Sequence, residues 1–168
     1  MNGGDSITND GPWYLGHQDC TVDGQRRIAV PSRWRRAGDE RTRFFLLPGR
    51  QTAIQMIPGE SFAELLSKLR RVSFADGKAA RALAQIGSIA QECVCDKQGR
   101  ITLTPELMTY AGLSDKALLL GAVTFVQIWQ PEKWRSQQME TEDCLDIIQS
   151  IQEEPDELNQ ILRNAARN

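Results

Sequence analysis

The stretch that decides the fold is "CDKQGRITLTPELMTYAGL", Cys95 to Leu113. An aspartate is followed four places later by an arginine. An alternating run from Ile101 to Leu103 comes next, then Pro105 and a helical pattern that Gly112 ends. Each step has a local cause. The short carboxylate of Asp96 accepts backbone N–H bonds and closes an Asx-type turn, and Gly99 takes the left-handed φ the turn needs. Alternation at period two reads as a strand. Proline suits the first turn of a helix, where its missing N–H is no loss, and glycine stops one. Arg100 is thereby projected from a rigid loop end, and an Asp–Arg pair that fixes the turn is the plain reading of it.

A second, altered copy stands upstream: "VDGQRRIAVPSRWRRAGD", Val22 to Asp39. At an offset of 73, Asp23 falls on Asp96, Arg27 on Arg100, Ile28 on Ile101, Val30 on Leu103 and Trp34 on Leu107. One residue of slippage brings the offset to 72. Thr52 then matches Thr124, Gln55 matches Gln127, Glu60 matches Glu132 and Phe62 matches Trp134. Matches this dense mark an internal duplication. A unit of this size with four short strands buries too little apolar surface alone. The two copies are therefore expected to complete one core about a pseudo-two-fold axis, with interleaved hairpins.

Working outward, the order strand, strand, short helix, strand, strand, helix occurs twice. "WYLGHQDCTV", "RIAVP", "FFLLP" and "AIQMI" are the first strands, with "PSRWRRAG" as the short helix between them. Amphipathic helices follow at Gly59–Arg71, with Phe62, Leu65, Leu66 and Leu69 on one face, and at about Asp76–Ser88. Then "QECVCD", "RITLT", "ALLLG" and "FVQIW" repeat the strands. The expected organisation is a disordered leader (1–12), a first repeat (13–72), a linking helix (73–90), a second repeat (91–138) and an acidic helical tail (139–168) broken at Pro155.

Charge distinguishes the copies. The 168 residues carry a net charge of −2, yet between Arg26 and Arg50 stand eight arginines (26, 27, 33, 35, 36, 41, 43, 50) against Asp39 and Glu40. From Glu140 onward eight acids oppose Arg163 and Arg167. Such asymmetry suggests a basic working face and an acidic tail. Clustered guanidiniums suit phosphate contact, which singles out Arg27 with Arg26, Arg33, Arg35 and Arg36 around it.

These motifs resemble the MraZ family, relatives of the AbrB and MazE type of swapped-hairpin DNA-binding proteins. The resemblance rests on "DGQRRIAVPSRWR", "DKQGRITLTPELMTYAGL" and "LLLGAVTFVQIWQPEKW", and covers roughly residues 14 to 138. The first motif departs from the family's D-x-K-G-R pattern at Gln25 and Arg26. The fold implied is α+β: two tandem swapped-hairpin (double-split β-barrel-like) repeats with short helices, plus the helical tail. The function implied is sequence-specific binding of repeated promoter sites of the division and cell-wall gene cluster, by the arginine-bearing loops of a ring-like homo-oligomer. On that resemblance Arg27 is the DNA-contacting arginine and Arg33 and Arg35 are the basic residues after Pro31. Asp23 and Asp96 hold the loops, and Arg100 does the same or contacts another subunit. Arg26 and Arg36 join the DNA-binding set on charge alone.

Other chemistries fit less well. The four cysteines (Cys20, Cys93, Cys95, Cys144) lack paired zinc spacing and read as reduced packing residues, so no metal or cofactor is expected. His17 is the lone histidine, and no helix start is placed to activate a thiol beside it. No phosphate-cradling glycine loop occurs, and no enzymatic activity is expected. No run approaches the length of a membrane span, and the first residues carry no signal pattern, so the expected location is cytoplasmic and nucleoid-associated. A second function of different class is an assembly or antitoxin-like protein of the same fold that has lost DNA binding and acts through protein contacts; the net negative charge and the altered first motif keep it open.

Overall fold

A computed structural model describes residues 13–35, 42–71 and 75–153. The chain divides into two units after Lys133, and both motif copies fall in the first. The element order is β1 (His17–Thr21), β2 (Arg27–Ala29), a 3-10 turn (Ser32–Trp34), β3 (Arg43–Pro48), a second 3-10 turn (Arg50–Thr52), β4 (Ile54–Pro58), α1 (Gly59–Leu69) and α2 (Gly77–Ile89). It continues with β5 (Gln91–Val94), β6 (Arg100–Thr102), α3 (Pro105–Ala111), β7 (Lys116–Gly121), β8 (Val126–Trp129), α4 (Pro131–Gln137) and α5 (Thr141–Glu153). The architecture is α+β, with antiparallel sheets.

Six strands form one sheet in the order β1-β7-β8-β4-β3-β5, and β2 and β6 form a separate ribbon. Four of the pairings join the two motif copies: β1 with β7, β2 with β6, β3 with β5 and β4 with β8. Only the hairpins β3–β4 and β7–β8 pair within one copy. The registers recur at the sequence offsets. Cys20 lies opposite Ala117 just as Cys93 lies opposite Phe44. Ile28 faces Ile101, and Gln55 faces Gln127, so each of these strand pairs is centred on two equivalent residues.

The alternation seen in the sequence supplies the core. Phe44 and Leu46 of β3, Ile54 and Met56 of β4, and Leu119 of β7 are fully buried, together with Ile28, Ile101 and Trp34. Tyr14 packs edge-on against Trp34 and Phe44, with ring centroids 6.3 and 6.4 Å apart. Trp34 occupies in the first copy the place of Leu107 in the second, and both side chains are buried to the same extent. It serves the core, and its indole N–H donates to the Leu15 carbonyl at 3.2 Å.

One element differs from expectation. The helix expected at "PSRWRRAG" is a single 3-10 turn that ends at Arg35, and the rest of that stretch lies outside the described residues. Its counterpart α3 is a full helix, because Thr104 caps it: the Thr104 hydroxyl accepts from the Leu107 N–H, Pro105 opens the first turn and Gly112 closes it at φ 66°. In the first copy Pro31 falls at the cap position itself and offers no capping side chain.

Candidate nucleic-acid interface

The two Asp–Arg loops have the same construction. Asp23 Oδ1 accepts from the backbone N–H groups of Gln25 and Arg27, each at 2.9 Å, and its Oδ2 meets Arg27 Nε at 2.6 Å. Asp96 Oδ1 accepts from Gln98 and Arg100, each at 2.9 Å, and its Oδ2 meets Arg100 Nε at 2.9 Å. These bonds stabilise the carboxylates and hold both below the usual range, the backbone N–H of the arginine being the largest cause in each. An Asp–Arg spacing of four is thus the reach of one Asx turn plus one guanidinium edge.

Arg27 and Arg100 are alike in their surroundings. Each gives its Nε to its own aspartate, and each side chain remains a little over a quarter exposed. A guanidinium has five N–H donors, so pinning Nε fixes its direction while leaving donors for another acceptor. This geometry fixes the turn and leaves donors on the same side chain, so a turn-fixing role does not exclude a contact role.

The other arginines are distributed over several places. Arg26 stands at φ 60°, where the second loop has Gly99 at φ 74°. Its Nε donates to the Leu103 carbonyl of the other copy at 3.0 Å. Arg35 Nε donates to the Val30 carbonyl at 3.2 Å. Its guanidinium lies over Gly99, in the space a side chain there would fill. Arg33 lies 5.0 Å above the Trp34 ring, and one of its terminal nitrogens donates to the His17 carbonyl at 3.1 Å. Arg36 lies outside the described residues.

The ribbon sets the spacing. The Val30 N–H donates to the Gly99 carbonyl, and the Leu103 N–H donates to the Arg26 carbonyl. The loops therefore flank opposite ends of β2–β6: Arg100 lies opposite Ala29, so Arg27 and Arg100 are offset by two residues along the ribbon, about 7 Å at roughly 3.4 Å per residue. Arg26 and Arg27 mark one end. Arg35, Lys97 and Arg100 mark the other. The sequence count placed all the surplus charge on the first loop, but folding brings Arg35 to the second. Lys97, not named among the candidates, stands inside the second motif, and its place there was the signal for it.

Three of the thiols are held in the protonated form. Burial pushes Cys20 up to about 11, Cys93 up to about 12 and Cys95 up to about 11. Among the described residues no group of three or more His, Cys, Asp or Glu side chains is placed to hold a metal ion. No helix among them is long and apolar enough to cross a membrane.

The family described as "MraZ protein, putative antitoxin-like" matches residues 88–149. Curated relatives extend the likeness. The transcriptional regulator MraZ of Thermomicrobium roseum is 34% identical over 124 residues, covering 74% of this chain and 86% of that protein. The protein of the same name from Desulfitobacterium hafniense is 35% identical over 131 residues, covering 78% and 90%. The chain belongs to the MraZ family. A third MraZ relative, from Moorella thermoacetica, is 31% identical over 135 residues, covering 80% of this chain and 93% of its own. Alignments of that length cannot fit downstream of residue 88, so the MraZ likeness reaches into the half that carries the first motif.

Proposed function

We propose that the chain is a sequence-specific DNA-binding transcription regulator that reads repeated sites in the promoter of the division and cell-wall gene cluster. One observation carries this reading: two Asp-braced arginine loops flank a three-residue ribbon, each with its guanidinium direction fixed and donors to spare. Preset guanidiniums suit phosphates and guanine edges, because little rotamer freedom is lost on contact. Relatives over most of the chain are named transcriptional regulators, which supports the same reading.

In this reading the halves are swapped-hairpin repeats that complete one double-split barrel, and several copies assemble head to tail into a ring. Arg27 and Arg100 contact DNA, with Arg35 and Lys97 adding charge at the second loop. Arg26 and Arg33 serve the fold first, since both are turned to backbone carbonyls. The test is a gel shift on the segment upstream of the chain's own gene, searched for short direct repeats. Retention of that segment and not of a shuffled one supports the reading. Equal retention of both contradicts sequence-specific reading, and retention of neither leaves the assembly or antitoxin-like function as the better account.

A further inference from the structure

The same residue stands at the tip of both Asp–Arg loops. At the offset of 73, Gln25 falls on Gln98, although their neighbours differ: Gly24 stands against Lys97, and Arg26 against Gly99. Each glutamine is the third residue of a tight turn. The Asp23 carbonyl accepts from the Arg26 N–H and the Asp96 carbonyl from the Gly99 N–H, both at 2.9 Å. Gly24–Gln25 and Lys97–Gln98 are therefore the central pairs of the two turns. Each glutamine's own N–H is bound by the aspartate Oδ1 at 2.9 Å. The backbone is thus held while the side chain stands exposed. Among the described residues neither carboxamide donates or accepts a hydrogen bond. The turn uses only the main chain at this position, so the fold does not account for the side chain.

A carboxamide carries two donors, a carbonyl acceptor and no charge. That set matches the adenine edge in the major groove, where N7 accepts and the N6 amino group donates, and a glutamine side chain can make both bonds at once. The same group has no charge to offer a phosphate. The braced arginine follows two residues later in each loop, so holding the backbone and reading a base can be divided between the two side chains. In the first loop Gly24 brings no side chain, which leaves Gln25 as the sole side chain of the turn's central pair. We infer that Gln25 and Gln98 are the base-reading residues, each recognising the adenine of an A·T pair while Arg27 and Arg100 hold the loops on the duplex. This rests on the DNA binding proposed above and names the residues that give it sequence preference.

The test uses the full chain and the duplex from upstream of its own gene, with each A·T pair changed in turn to G·C and affinity followed by fluorescence anisotropy. The variants are Gln25→Ala, Gln98→Ala and Gln25→Lys. Both positions are exposed, so the thermal melt of each variant is expected to match the parent. The parent is expected to lose about tenfold or more in affinity when the A·T pair facing an engaged glutamine is changed. Gln25→Ala is expected to become indifferent to the change at one such pair, and Gln98→Ala at another. Gln25→Lys is expected to prefer G·C at the first, since lysine binds guanine O6 and N7. Both alanine variants are expected to keep the parent's slope of log affinity against log salt, because no phosphate contact is lost. A specific parent that tolerates every A·T change overturns the inference while leaving DNA binding standing. Alanine variants that keep the parent's preference at every pair, whatever their slope, do the same. A parent that binds the upstream duplex no better than a shuffled one removes sequence reading itself, and this inference with it.

Discussion

Arg26 is the residue at which the two copies differ most in cost. At φ 60° it occupies the left-handed region where its equivalent is Gly99, and a non-glycine residue held there stores roughly 1 kcal/mol or more of strain. It persists because its Nε caps the Leu103 carbonyl. The equivalent carbonyl, Val30, is capped by Arg35 instead, so both ends of the ribbon are closed by a guanidinium. Arg26→Ala keeps the strain and loses the bond, and is expected to destabilise the protein by about 1–2 kcal/mol. Arg26→Gly loses the bond but relieves the strain, and is expected to be about 0.5–1 kcal/mol more stable than the alanine variant in urea denaturation. The aspartates set a pH dependence. Bonds from Arg100 hold the Asp96 carboxyl below its usual value of 3.8. The unfolded chain therefore binds that proton more tightly than the folded one. The stabilisation is full above about pH 4 and is lost as pH falls through the depressed folded value. Asp96→Asn removes the titration, so its stability is expected to fall less steeply than the parent's between about pH 4 and pH 2; parallel acid limbs would show that the carboxylate contributes nothing to acid unfolding.

Among the elements, α3 shows how far local signals reach. Thr104, Pro105 and Gly112 are a complete set of start and stop residues, and the helix runs between them as the sequence reads. The first copy has a proline too, but one position earlier relative to the motif, so the capping hydroxyl is lost and a single 3-10 turn results. Trp34 still reaches the core from that turn, because burial of a large aromatic outweighs helix propensity. Replacing Thr104 with Ala leaves the Leu107 N–H without its acceptor and is expected to cost about 1 kcal/mol, read as a lowered melting temperature. A serine at the same position is expected to recover most of that loss. The strands were legible for the same local reason, as period-two alternation places Phe44, Leu46, Ile54 and Met56 inward. The position of Arg35 was not. Charge counting works along the chain, while the contact of Arg35 with Gly99 depends on which strands pair.

At the scale of the molecule, most strand pairing crosses between the two motif copies. Neither half retains a closed sheet alone, since β3 and β4 would keep only each other and β1 would lose its partner β7. A two-stranded remnant is marginal in water. Deleting residues 91 to 138 is expected to abolish the cooperative thermal transition seen by circular dichroism, and a sigmoidal melt of residues 1 to 90 alone would contradict the shared core. The expectation of an internal repeat came from matching residues at a nearly constant offset, and the register sets such residues opposite each other, Ile28 on Ile101 and Gln55 on Gln127. The equivalence of the two Asp–Arg loops was harder to read, because a run of arginines drew attention to one copy while the bonds that brace them are the same in both. The most direct measurement is the salt dependence of affinity for the upstream repeats, taken for the parent, Arg27→Ala and Arg100→Ala by fluorescence anisotropy. Each phosphate contact contributes about 0.9 to the slope of log affinity against log salt. Both substitutions are expected to weaken binding and to flatten the slope by about that amount per loop engaged. A slope unchanged in both variants would contradict the assignment of these loops to DNA.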